Sequence, residues 1–258
     1  MMETILIGLL VPMLGIVLGS AVVFFTGKEM SNLLQKSLLG FAAGVMVSAS
    51  FWSLLLPAVE MNEGQFAVVP AVVGFLFGMG FILFIDIITP HLHIGTTYPE
   101  GPHSRLSRTT MLMLAVTIHH LPEGMAIGVV LAGSGHTNVG ISTISALVLS
   151  LGIAIQNIPE GAVVSIPMRV SGKSHIISFL MGCLSGIAQP LGAILVLMLS
   201  ALFVPVLPYM LAFAAGAMLY VVVEELIPEA TNGKHTNLST IFFAIGFVIM
   251  MFLDEILK

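Results

Sequence analysis

Two hexapeptides carry the side chains with which this chain could do chemistry: His119-His120-Leu121-Pro122-Glu123-Gly124 and, 37 positions later, Gln156-Asn157-Ile158-Pro159-Glu160-Gly161. Each sits inside an apolar run, and proline and glutamate keep the same register in both. Two imidazoles, a carboxylate and a proline within five residues make a hydrocarbon-embedded helix expensive to insert. Imidazole nitrogen together with carboxylate oxygen suits Zn²⁺, and also Fe²⁺, Mn²⁺, Co²⁺ or Cd²⁺; an alkali cation would hardly need the histidine.

Spacing arranges these donors. Positions four apart share a helix face about 6 Å apart along the axis, so His119 lies beside Glu123 and Gln156 beside Glu160. Two consecutive antiparallel helices set His119 level with Glu160 and Glu123 level with Gln156, and the four side chains close on one ion. Pro122 cannot donate to the carbonyl of Ile118, nor Pro159 to that of Ile155. A kink is therefore expected in each helix, with a carbonyl dipole exposed beside the acids. Interrupted helices at matching positions point to a substrate site in transporters.

The elements that must hold this pair are membrane spans. Of the 258 residues 57% are hydrophobic and only 8% charged, which excludes a soluble single-domain protein. A spanning helix needs about 20 apolar residues. Eight such stretches are predicted, at roughly 4–25, 37–57, 66–88, 109–131, 141–166, 175–202, 206–227 and 238–257. Together they form one transmembrane domain over 1–258. The first is read as a retained helix rather than a cleaved leader, because it opens with Glu3 instead of a basic cluster and its apolar run is long. Cys183 is the only cysteine, so neither an intramolecular disulfide nor a thiolate metal cluster is available.

Loop charges set an expected orientation, since Lys and Arg accumulate in short cytoplasmic loops. Lys28 and Lys36 fall between spans 1 and 2, Arg105 and Arg108 between 3 and 4, Arg169 and Lys173 between 5 and 6, and Lys234 between 7 and 8. Only Lys258 falls on the other side, which predicts both termini outside. The loop at 89–108 then faces the cytoplasm with His91, His93 and His103, where it is either a solvated connection or a place for a released metal ion. Glycines inside the spans, such as Gly40, Gly44, Gly182, Gly186 and Gly216, read as close helix packing. Scattered Met reads as gap-filling or lipid-facing.

Asp86, Glu123, Glu160, Glu224 and Glu225 fall within predicted spans, whereas the basic residues fall in loops or at the terminus. Each such acid costs on the order of 2.5 to 3.5 kcal/mol even on the lenient insertion scale. The protein must protonate, hydrate or neutralise them. A cation in transit does the last.

The HxxPEG and QxxPEG patterns, eight spans, outward termini and the His-containing loop resemble the ZIP (Zrt/Irt-like) divalent-metal transporters, in the compact prokaryotic GufA-like branch. The resemblance implies an all-α membrane fold of eight helices in a 3+2+3 arrangement, with the first three related to the last three by an inverted repeat. It also implies a homodimer in the cell membrane, with no nucleic-acid partner and no organic cofactor. It assigns a first metal site to His119, Glu123, Gln156 and Glu160. A second, weaker site would use His120, Asn157 and Gln189 and share Glu123 and Glu160; Asn157 and Gln189 stand where acidic residues are expected in two-metal members. Glu224, Glu225, Asp86, His91 and His93 would form a release pathway. The function implied is import of Zn²⁺ and related divalent cations by alternating access. An intramembrane zinc metalloenzyme is the rival class, opposed by the absence of H-E-x-x-H; a metal sensor without flux is another.

Overall fold

The computed structural model describes residues 2–25, 30–64, 66–92, 99–135, 141–203 and 206–257. It is helical throughout its long elements, and eight helices are long and apolar enough to cross a membrane. We label them α1 (Met2–Phe24), α2 (Asn32–Glu60), α3 (Val69–Ile88), α4 (Thr109–Ser134), α5 (Thr143–Val170), α6 (His175–Met198), α7 (Leu207–Thr231) and α8 (Leu238–Leu257). The chain is therefore an all-α multi-pass membrane protein.

Serine punctuates the starts. The hydroxyls of Ser31, Ser107, Ser142 and Ser174 accept from the backbone N–H groups of Leu34, Thr110, Ser145 and Ile177 at 3.1, 3.2, 2.9 and 3.2 Å. Each satisfies one orphan donor of a first helical turn. Because α2 starts at Asn32, Lys36 lies inside it and not in the loop before it. Its ammonium is buried and donates to the Lys234 carbonyl at 2.7 Å.

The principal packing partners are not sequence neighbours: α1 packs on α5, α2 on α8, α3 on α7 and α4 on α6. Backbones touch at glycines in every pair. A Cβ on Gly19 would stand 2.0 Å from the Ile158 carbonyl oxygen, on Gly44 2.0 Å from that of Phe243, on Gly78 1.9 Å from that of Phe213, and on Gly124 1.8 Å from that of Gln189. Without a hydrophobic drive between helices in lipid, such close contact is what holds them. Met46, Met218 and Met250 fill the interior, while Leu10, Leu14, Leu76, Phe77 and Phe84 cover outward faces.

One expectation about helix shape is corrected. α4 and α5 run continuously through Pro122 and Pro159 and are not interrupted there. The irregular turns lie instead in α2 and α7, where Ser50–Leu55 and Val222–Leu226 form wide π-type turns. Leu56 N–H reaches back to Phe51 and Ile227 N–H to Val222. Each wide turn ends just before a proline, Pro57 or Pro228, whose missing N–H already breaks the regular ladder. Neither proline ends its helix: α2 continues to Glu60 and α7 to Thr231. A third break divides α6 after Ser185, where Gln189 N–H bonds the Gly186 carbonyl in place of that of Ser185.

Candidate metal centre

α4 brings His119, His120 and Glu123 to the middle of the bundle; α5 brings Gln156, Asn157 and Glu160; α6 brings Gln189; and the wide turn of α7 brings Glu225. All eight residues are buried, none more than 6% exposed. The sequence between Arg108 and Arg169 holds no Lys or Arg, so no basic side chain from α4 or the body of α5 is present to offset the acids.

The tightest cluster is His120, Glu123 and Glu160, whose donor atoms all lie within 4.8 Å of one another. His120 is oriented by the break in α6. Its Nδ1 lies 3.1 Å from the Ser185 carbonyl, which the shifted turn has left without its helical partner. A carbonyl can only accept, so Nδ1 carries the proton and Nε2 faces inward, 3.3 Å from Glu160 Oε2. This is the arrangement by which a backbone group fixes the tautomer of a ligating imidazole. A lone pair facing a carboxylate at that distance in a buried site calls for a proton or a metal cation between them.

Glu123 is held on both oxygens: Gln156 Nε2 donates to Oε1 and Gln189 Nε2 to Oε2, each at 2.7 Å. Asn157 Nδ2 donates to the Pro12 carbonyl of α1 and to Gln189 Oε1, both at 2.9 Å. Gln156 Oε1 and Asn157 Oδ1 are buried acceptors without a hydrogen-bond donor. The centre thus offers surplus acceptors, which is the chemistry of a cation site.

His119 is directed differently. Its Nε2 contacts Glu225 Oε1, and both line a narrow cavity with Glu160 and Glu229. The four residues anticipated as one site are thus divided: Glu123, Gln156 and Glu160 face the cluster that contains His120, while His119 stands next to it on the Glu160 side, paired with α7. Glu225, anticipated on a release pathway, is part of this wall. Glu224 is not, because the next position on the helix turns it to the exposed side.

A second group forms where α3 ends. Asp86 Oδ1 lies 3.0 Å from His91 Nε2, and Tyr220 of α7 donates to Oδ2 at 3.2 Å. His91 and Glu100 face each other across an antiparallel bridge, and Asp86, His91 and Glu100 have donor atoms within 4.8 Å of one another. The beginning of the 89–108 loop is thus docked on α3. His93 lies outside the described residues, and His103 is exposed.

The sequence reading passed over Asp254. It is fully buried in α8 and accepts from Ser53 Oγ in the wide turn of α2 at 2.7 Å. The stripe Gly246, Met250 and Asp254, at four-residue spacing, was the available signal, and all three are buried on one face.

Eight spanning helices around a buried His and Glu cluster define a polytopic membrane protein with a candidate intramembrane cation site. The profile of the ZIP zinc transporter family matches residues 99–254, and the chain belongs to that family. It is 37% identical over 235 residues to zinc transporter ZIPB of Bordetella bronchiseptica, covering 89% of this chain and 74% of that protein. It is also 36% identical over an alignment of 316 residues to zinc transporter ZIP11 of Homo sapiens, covering 92% of each. Identity to zinc transporter GufA of Myxococcus xanthus is 33% over 242 residues, again 92% of each. These relatives are named as transporters, which places the chain among transporters and not enzymes.

Proposed function

We propose that this protein imports Zn²⁺, and with it related divalent cations such as Fe²⁺, Mn²⁺, Co²⁺ and Cd²⁺, into the cytoplasm through the centre between α4 and α5. The observation that carries the reading is the buried pair His120 Nε2 and Glu160 Oε2 at 3.3 Å, with Glu123 beside it. Zinc takes imidazole and carboxylate donors at about 2.0 to 2.2 Å, so modest side-chain movement closes these three ligands on one ion. His119 and Gln156 supply further donors, with Gln156 presenting Oε1 once its amide turns away from Glu123.

Release runs from Glu160 past His119, Glu225 and Glu229 along the cavity they line, toward Asp86 and His91 at the end of α3. The loop charges support cytoplasmic placement of that end and both termini outside. The helix pairs support an inverted 3+2+3 repeat: exchanging α1 with α6, α2 with α7, α3 with α8 and α4 with α5 turns α1·α5 into α6·α4 and α2·α8 into α7·α3. The wide turns of α2 and α7 also exchange. We assign the homodimer on family grounds.

Reconstitution into liposomes containing a zinc-sensitive dye tests the proposal. Wild-type protein is expected to admit Zn²⁺, while Glu123→Ala and Glu160→Ala insert normally and admit none. Wild-type flux in either folded variant would sink the assignment, and binding without flux in the wild type would make the protein a sensor.

A further inference from the structure

Asn157 and Gln189 stand where a second cation would need ligands, yet their hydrogen bonds run in one direction. The Pro12 carbonyl can only accept, so it fixes the Asn157 amide with Nδ2 toward α1 at 2.9 Å. The second proton of that nitrogen meets Gln189 Oε1 at 2.9 Å. Gln189 must then present its nitrogen to Glu123, and does so at 2.7 Å from Oε2. Polarity is set at α1 and transmitted to the glutamate. The amides have no freedom to turn their oxygens inward together, because reversing either one sets acceptor against acceptor.

The backbones hold the relay in place. Gly15 and Gly19 bring α1 against the Ala154 and Ile158 carbonyls, on either side of Asn157, and Gly124 brings α4 against the Gln189 carbonyl. Asn157 is fully buried and Gln189 is 1% exposed, so water does not compete for these bonds.

We infer that Asn157 and Gln189 are positioning residues: a relay from the Pro12 carbonyl holds an amide N–H on Glu123 Oε2, occupying the place a second cation would take and limiting the centre to one ion. This rests on the transport site proposed above. Charge favours the same stoichiometry. Two ionised glutamates balance one dication, whereas two dications would leave about two positive charges unbalanced at low dielectric.

Gln189→Glu reverses the end of the relay. One carboxylate oxygen still accepts from Asn157, and the other faces Glu123 Oε2 where the amide nitrogen was. Two carboxylate oxygens at hydrogen-bond distance then share a proton, which zinc in excess displaces to take them as ligands. Gln189→Met and Asn157→Leu instead remove the relay without adding a ligand.

The test is zinc per protomer, by elemental analysis of full-length protein equilibrated with ZnCl₂ and desalted, together with liposome KM and Vmax. Expected are one zinc in wild type, two in Gln189→Glu, and one in Gln189→Met and Asn157→Leu. KM should rise about tenfold in Gln189→Met, which loses one buried charge-assisted bond, and in the same direction in Asn157→Leu, which frees Gln189 to turn, with Vmax within about twofold in both. Two equally held ions in wild type, or a single ion in folded Gln189→Glu, would overturn the relay; so would unchanged KM in folded Gln189→Met. No zinc in wild type would overturn the transport site itself. Should Asn157→Leu fail to fold, the two Gln189 variants decide.

Discussion

His119 and His120 are neighbours in sequence with different partners, because one step along a helix turns a side chain by about 100°. His120 meets the Ser185 carbonyl and Glu160; His119 meets Glu225. That division was not legible in the sequence. Four-residue spacing does say that His119 shares a face with Glu123, but the neighbours that decide its contacts come from α7, and the group that orients His120 is a backbone carbonyl freed by a helix break. The acids and the paired motifs were legible, since their types are costly in an apolar run whatever the fold. A double-mutant cycle tests the His119 contact. Breaking a buried pair from one side costs up to about 3–5 kcal/mol. We expect His119→Ala and Glu225→Ala each to be strongly destabilised in detergent, and the double variant to be no less stable than either single. Additive losses in denaturant unfolding would show that the two residues act independently.

The helices explain why the centre is buried. Span number and rough position followed from hydropathy, and close packing at Gly40, Gly44, Gly182, Gly186 and Gly216 followed from residue size. Which helix meets which did not, because α1 on α5 and α3 on α7 are long-range contacts that no local pattern encodes. Nor did the wide turns. Proline alone cannot say whether a helix will tolerate it, as at Pro122 and Pro159, or open a turn ahead of it, as at Pro57 and Pro228. Two glycines of the same type separate packing from propensity. A Cβ at Gly124 would lie 1.8 Å from the Gln189 oxygen, while one at Gly80 meets nothing within 4 Å. Gly124→Ala must therefore push α4 from α6 and dislodge Gln189 from Glu123, lowering melting temperature and raising KM for zinc. Gly80→Ala gains helix propensity of up to about 1 kcal/mol and leaves transport unchanged. Equal effects of the two changes in thermal melts and liposome uptake would contradict this packing.

At the scale of the molecule, electrostatics acting on insertion predicts one orientation. Basic residues gather at one set of connections, and the buried Lys36 ammonium on the Lys234 carbonyl ties two of those connections together at the same end of the bundle. The other end of α2 carries Ser53 against Asp254 near the C-terminus. If the basic end is cytoplasmic, the cavity lined by His119, Glu225 and Glu229 lies on the cytoplasmic side of the centre. Cys183 is the only cysteine in the chain, so replacing it by serine gives a clean background for labelling. Glu63, between α2 and α3, and Lys173, between α5 and α6, are both exposed and belong to opposite ends. In intact cells a membrane-impermeant maleimide should label the Glu63→Cys variant at once, and the Lys173→Cys variant only after permeabilisation. The reverse pattern would place both termini in the cytoplasm and overturn the proposed orientation.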